Sequence, residues 1–178
     1  MKLLTIQSRK VLNTLRKGDT YKADFYYMNH LKPHLVEARQ LLMRYLNYES
    51  VPIFCAIYDR YITFKNTYVT RSSVILELDV PDEFVTIQSL YDWIDLHVVL
   101  CYANVDMPEQ VKLYRIAETL DPGYGSTYVA QAVLPYIKPE WLVNAYKCNK
   151  EFIEYFNSTA VLNEDVINNK LTKLGDFI

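Results

Sequence analysis

The residues able to do chemistry are few and scattered. His30 and His34 stand four apart, a spacing that sets two imidazoles on one helix face and chelates a metal once a third ligand, His97 or a carboxylate, joins them. Pro33 lies between them at a helix start, so surface histidines are the simpler reading. Glu77 and Asp79 alternate with Leu76 and Leu78, which on a strand points both carboxylates to one side; an exposed strand face gives the same pattern and is favoured here. Cys55 has no local partner that would make it a nucleophile. The loop D-P-G-Y-G, Asp121 to Gly125, frees the backbone at Gly123 and Gly125 for close approach to a ligand, although a plain turn is the commoner use. Just beyond it, Gln131 is the one amide in the apolar stretch Val129 to Leu134. Such an amide serves a ligand hydroxyl, or it satisfies buried backbone groups beside the core. The sequence has no G-x-G-x-x-G, no G-K-[ST] phosphate loop, no H-E-x-x-H and no G-x-S-x-G.

The elements that position these residues follow from periodicity and punctuation. Lys2 to Ile6 reads as a first strand; Ser8 then caps a helix with Val11, Leu12 and Leu15 on one face, and Gly18 closes it. After a tyrosine-rich connector, Leu31, Leu35, Ala38, Leu42, Tyr45 and Leu46 recur at helical spacing, with Pro33 in the first turn. Val51 to Tyr58 reads as a buried strand, whereas Asp59 to Arg71 permits a hairpin or a long loop. Ser73 to Val80 alternates and ends at Pro81; Phe84 to Ile87 is a further short strand, and Ser89 caps a helix carrying Leu90, Trp93, Ile94 and Val98. Met107 to Leu120 is helical, with Val111, Tyr114 and Ile116 facing the core. A late strand runs from Ser126 until Pro135 stops it, and Pro139 begins a helical turn containing Trp141, Leu142 and Tyr146. E-F-I-E-Y-F and V-I-N-N-K-L make two short amphipathic helices at the end. No internal repeat or linker stands out. The order is α+β, a small twisted or split mixed sheet flanked by helices, with a core domain over 1–146 and a helical C-terminal extension over 147–178 packed on it.

Composition sets the outer limits. The chain has 178 residues, enough for one domain with a real core. A hydrophobic fraction of 51% and a net charge of −2 exclude disorder and give no field to draw in nucleic acid. Nucleic acid is therefore an improbable partner, and the basic residues Arg9, Lys10, Arg16, Lys17 and Lys22 are its weak remaining support. Cys55, Cys101 and Cys148 lie far apart in an odd number, which favours reduced thiols and a cytoplasmic setting. The opening apolar run is too short for a secretory segment, and no window reaches membrane-spanning length. The 16 tyrosines join apolar rings to polar tips, as contact surfaces and wet pockets require; biased codon usage accounts for them as well.

Four stretches occur in a recognisable order: M-K-L-L-T-I-Q-S, V-I-L-E-L-D-V-P-D-E-F-V, S-L-Y-D-W and Q-A-V-L-P-Y-I-K-P-E-W-L-V. Over roughly the first 145 residues they resemble a family of uncharacterised bacterial and phage proteins that open with a "TIQ" motif. More remotely, a first strand ending in small polar residues, a helix and a glycine resemble the start of compact ADP-ribosyltransferases, DNA-modifying toxins among them. The late strand and the continuation P-Y-I-K-P-E, Pro135 to Glu140, resemble the end of that core. The resemblance implies NAD as cofactor: Thr5 and Gln7 in the first motif, Tyr58 (or in its place Ser72 or Ser73) in the middle one, and Gln131 where that superfamily carries a catalytic glutamate. A neutral amide offers no charge to the oxocarbenium-like cation that forms as nicotinamide leaves. The resemblance then leaves three outcomes open. Glu77 or Glu140 substitutes, NAD binds without turnover, or Gln131 is structural. The alternative function is a non-enzymatic phage or accessory protein that captures a host protein through its tyrosine-rich surface.

Overall fold

A computed structural model describes residues 1–58, 62–63, 69–102, 107–120, 130–159, 161–162 and 164–175. In chain order the elements are β1 (Lys2–Ser8), α1 (Arg9–Arg16), a 3-10 segment (Phe25–His30), α2 (Pro33–Leu46), β2 (Ile53–Ile57), β3 (Ile62–Thr63) and β4 (Ser73–Asp79). A 3-10 turn (Asp82–Phe84), β5 (Thr86–Ser89), α3 (Leu90–Tyr102), α4 (Glu109–Leu120) and β6 (Ala130–Leu134) follow. The chain continues with a 3-10 turn (Pro139–Trp141), β7 (Leu142–Lys147), α5 (Lys150–Thr159), β8 (Val161–Leu162), α6 (Glu164–Lys170) and β9 (Thr172–Lys173). The class is α+β, as the sequence indicates. No helix among the described residues is long and apolar enough to cross a membrane. The chain falls into two compact units, one made of Met1–Tyr21, Cys55–Val85 and Ile137–Ile178, the other of Lys22–Phe54 and Thr86–Tyr136.

In the first unit the strands run in the order β2-β1-β4-β7-β9. β1 is paired along both edges: Leu3 and Leu4 oppose Ile57 and Ala56 of β2, and Lys2 to Ser8 oppose Asp79 to Ser73 of β4. Every pairing described within either unit is antiparallel, against the mixed sheet expected. Hydrophobic alternation reports which residues share a face; it is silent on strand direction. Leu4, Ala56 and Ile75 form one core with Phe152, Phe156, Leu162, Val166 and Ile167, so the C-terminal helices complete the same hydrophobic cluster as the first strand. Phe152 and Phe156, one helical turn apart on α5, stack with centroids 5.5 Å apart. α1 packs on β1 and β4 through Val11, Leu12 and Leu15; its end at Gly18 adopts φ +86°, where a side chain would be strained.

One expectation fails here. The segment after Pro139 is helical only over Pro139–Trp141; Leu142 to Lys147 is strand β7, which pairs with β4 from Val74 to Leu78. Ala145 and Tyr146 meet Leu76 and Ile75 across the ladder, so that edge of β4 is hydrogen-bonded, and this outweighs the local helical spacing of Trp141, Leu142 and Tyr146.

The second unit packs α2, α3 and α4 against one another, with the β5-β6 ladder set in register from Thr86↔Val133 to Ser89↔Ala130. Its core is Ala38, Leu41, Leu42, Trp93, Leu96, Leu100, Ile116 and Val133. α4 buries Ile116 and Thr119, whereas Val111 and Tyr114 are exposed, contrary to the expected core face. At about 3.6 residues per turn, Tyr114 lies on the far side of the helix from Ile116. The glycine loop 121–125, the first part of the late strand (126–129) and most of the 59–71 segment lie outside the described residues.

Truncation of Phe152 to alanine is expected to cost about 3–5 kcal/mol, because the ring is fully buried and its neighbours are fixed by sheet and helix. Chemical denaturation checks this, with the exposed Val143→Ala expected to stay within about 0.5 kcal/mol of the parent protein.

Candidate functional site

Thr5 and Gln7 are two apart on β1 and share a face. Gln7 Nε2 donates to Thr5 Oγ1 at 2.8 Å, and Thr5 also hydrogen-bonds the Cys55 thiol. Thr5 has no exposed surface, so its hydroxyl is enclosed by protein. Burial pushes the Cys55 thiol up to about 12, which removes it as a nucleophile at neutral pH. Tyr58 stands on the opposite face. Its backbone N–H donates to the Lys2 carbonyl, the Lys2 ammonium lies 5.8 Å from its ring centre, and it packs with the Leu4–Phe152 core. Ser72 and Ser73 close a turn with Thr70: the Thr70 and Ser72 hydroxyls are 2.8 Å apart, and the Thr70 N–H donates to Ser73 Oγ at 3.0 Å.

On the Tyr58 face the structure gathers a group the sequence does not pair. Glu77 is 7% exposed, and its Oε2 accepts from Asn144 Nδ2 at 2.7 Å and from the Tyr146 hydroxyl at 2.8 Å. Among the described residues Oε1 takes no hydrogen bond. The Tyr146 phenol is held well above its ordinary range, first by burial, then by Glu77, with Tyr58 adding to the shift. An exposed face for Glu77 is thus incorrect: β4 is flanked by β1 and β7, Val74 to Leu78 are buried, and of the two carboxylates Asp79 is the exposed one, with the Met1 ammonium 3.5 Å away. Glu140 is exposed in the Pro139 turn, 3.8 Å from Lys138.

Gln131 belongs to the second unit, opposite Gln88 in the β5-β6 ladder. Its Nε2 donates to Gln88 Oε1 at 2.7 Å, Gln88 Nε2 donates to Thr119 Oγ1 at 3.0 Å, and Thr119 Oγ1 donates to the Ile116 carbonyl at 2.8 Å. Gln88 and Thr119 are buried, so this relay satisfies polar groups that would otherwise be stranded in the core. Gln88 escapes the reading of single motifs, yet a signal for it exists. Thr-Ile-Gln-Ser occurs twice, at 5–8 and 86–89, each time ending a strand and leading into a helix, once in each unit. Ser89 Oγ accepts from the Asp92 N–H at 3.3 Å; Ser8 makes no such cap, and its buried Oγ has no hydrogen-bond partner among the described residues.

The second unit also carries an open cleft of about 420 Å³ lined by Phe25, Gln40, Met43, Arg44, Asn47 and Tyr48. Residues 40, 43, 44 and 47 follow helical spacing, so one face of α2 forms its wall. Asn47 ends α2 in the left-handed region at φ 54°. Phe25 begins the 3-10 segment, which Asp24 caps by accepting from the Tyr26 N–H at 3.0 Å. Tyr48 is fixed by a 3.1 Å hydrogen bond to Thr86 Oγ1, and Arg44 by a 2.6 Å ion pair with Glu109. Beside the cleft, Phe25, Tyr26 and Tyr27 are 49%, 64% and 47% exposed.

No metal-ligating group of three His, Cys, Asp or Glu side chains forms among the described residues. His30 instead meets Tyr26 edge-on, with ring centres 5.6 Å apart. No family model, no curated protein and no solved structure matches the chain.

Replacing Gln88 by leucine is expected to destabilise the fold by about 1–3 kcal/mol, since Gln131 and Thr119 then lose their shared partner. In a double-mutant cycle, Gln88→Leu and Gln131→Leu are expected to couple by at least about 0.5 kcal/mol. Additive losses would show that the relay carries no joint energy.

Proposed function

We propose that this chain is a partner-binding protein whose working surface is the aromatic cleft of the second unit. The observation that carries the reading is the coincidence of an open cleft with three consecutive exposed aromatics, Phe25, Tyr26 and Tyr27, on a capped segment. Exposed aromatic clusters of this kind are unfavourable in a lone soluble surface and are enriched where proteins meet. The lining suits an extended protein segment. Met43 and Phe25 take an apolar anchor side chain, while the Gln40 and Asn47 amides serve its backbone.

Peptide-display selection on the purified protein tests this. Selected peptides are expected to carry an aromatic or long apolar anchor, to perturb the Met43 methyl resonance, and to bind Phe25→Ala at least about tenfold more weakly, a loss of roughly 1.4 kcal/mol. Failure to enrich any peptide, or equal binding to the variant, removes the cleft as the contact surface.

A second reading is NAD binding of the ADP-ribosyltransferase kind, at the Glu77 cluster. One observation favours it: a nearly buried carboxylate with one oxygen unclaimed stands on the same face as Tyr58, the aromatic residue the resemblance assigns to NAD. A carboxylate so placed would stabilise the cation formed as nicotinamide departs, a role Gln131 cannot fill. Calorimetric titration with NAD is expected to give saturable heat that Glu77→Gln weakens, and nicotinamide release at least about 100-fold slower in that variant. An absence of heat at millimolar NAD defeats this reading and leaves the first untouched.

A further inference from the structure

The open cleft of the second unit has one rim rich in donors. Gln40, Arg44 and Asn47 follow one another at i, i+4 and i+7 along α2, and all three residues are exposed. Among the described residues the Gln40 and Asn47 side-chain amides make no hydrogen bond. The carbonyls of Met43 and Arg44, which would otherwise offer acceptors there, already take the Tyr48 and Asn47 N–H groups at 2.9 and 3.3 Å. Met43, 7% exposed, and Phe25 supply the apolar part of the lining. Met43 shares a small core with Met28 of the 3-10 segment, which holds the stretch carrying Phe25 against α2.

Arg44 alone among the described lining residues carries a charge. Its present partner, Glu109 at the start of α4, lies outside the lining, and the two side chains are 57% and 60% exposed. An exposed ion pair contributes little to stability, so exchanging one carboxylate for another at Arg44 costs little. The acids closest to the cleft in sequence are engaged: Asp24 accepts from the Tyr26 N–H, and Glu49 pairs with Lys22 at 3.4 Å. We infer that the cleft selects an extended acidic peptide segment, in which an Asp or Glu side chain within two residues of the apolar anchor displaces Glu109 from Arg44. This holds only where the cleft is the contact surface proposed above. The dimensions agree. At about 1.5 Å per residue, Gln40 and Asn47 stand roughly 10 Å apart along the helix, the reach of about three extended residues. Arg44 lies between them and follows Met43 directly, so a carboxylate that meets the guanidinium sits close to a side chain seated on Met43. The planar guanidinium takes a carboxylate through two parallel N–H groups, and the flanking amides serve the peptide backbone on either side. Glu109 is then the protein's own stand-in, paired with Arg44 until a peptide takes its place.

Peptides selected by display on the intact protein are expected to carry Asp or Glu within two positions of the anchor more often than the unselected library does. In fluorescence-polarisation titrations, replacing that acid in the peptide by its amide is expected to weaken binding at least about threefold. Arg44→Gln is expected to weaken the acidic peptide by a similar factor and to leave its amide twin within about 1.5-fold of the parent. Glu109→Gln is expected to tighten the acidic peptide about twofold or more, because the competing carboxylate is gone. Both variants break the same ion pair, so a purely structural role would move binding in one direction for the two. Phe25-dependent peptides with no acidic preference, an acidic peptide indifferent to Arg44→Gln, or one weakened by Glu109→Gln overturns the inference and leaves the cleft as the contact surface. Enrichment of Lys or Arg beside the anchor overturns it too, and makes Glu109 the residue that is read. A selection that enriches nothing, or peptides indifferent to Phe25→Ala, removes the cleft and this inference together.

Discussion

The register of β1 against β4 is the constraint on which the first unit rests. Seven consecutive pairs, from Lys2↔Asp79 to Ser8↔Ser73, fix which side of the sheet every side chain meets. Because the side-chain period of a strand is two, a slip of one residue would exchange the faces. Leu4 and Ile6 would leave the Phe152–Phe156 core, and Thr5 would be driven into it. Glu77 depends on the same register. It stands beside Asn144 and diagonal to Tyr146 because β7 reads β4 from the other edge, with a local irregularity between Glu77 and Leu78. A buried carboxylate is tolerable only where donors already wait for it, and the ladder delivers two.

In the second unit the comparable constraint is polar. Gln88 and Gln131 oppose each other in the β5-β6 ladder, and the hydroxyl of Thr119 ties that ladder to α4. An amide pair spanning a strand ladder sets register more strictly than apolar contacts do, since a displaced amide loses a directional bond while a displaced methyl group finds another neighbour. The lone glutamine of the late strand thus has a structural use that the relay alone accounts for.

Much of this was legible in the residues. The first strand, the helix after Ser8, the helix opened by Pro33 and the strand from Ser73 appear within one or two residues of where periodicity puts them. What failed was long-range. Nothing local in L-V-N-A-Y-K reveals that β4 lacks a partner on one edge, so β7 read as helix. Glu77 read as exposed because alternation with leucine is the same on a surface strand and on one flanked by sheet on both sides. The proposed cofactor residues divide, with Thr5 and Gln7 on one face of the first unit, Tyr58 on the other and Gln131 in the second unit. The repeated Thr-Ile-Gln-Ser, four residues long and too short to stand out as an internal repeat, marks a strand-to-helix passage in each unit.

The interleaving of the two units bears on the order in which the chain can fold as it is made. The last segment of the second unit ends at Tyr136, so its helices and its amide relay are complete in sequence before β7, α5 and α6 have been synthesised. The first unit is drawn from both ends of the chain. β1 precedes the other elements of the unit, yet the Phe152, Phe156 and Ile167 side chains that close its core come about 150 residues later. Until then Leu4 and Ile75 have no lasting cover, and β4 presents an open edge to whatever strand it meets. The strand synthesised first within this unit is therefore among the last parts of it to be secured, and during that interval the nascent chain is exposed to mispairing.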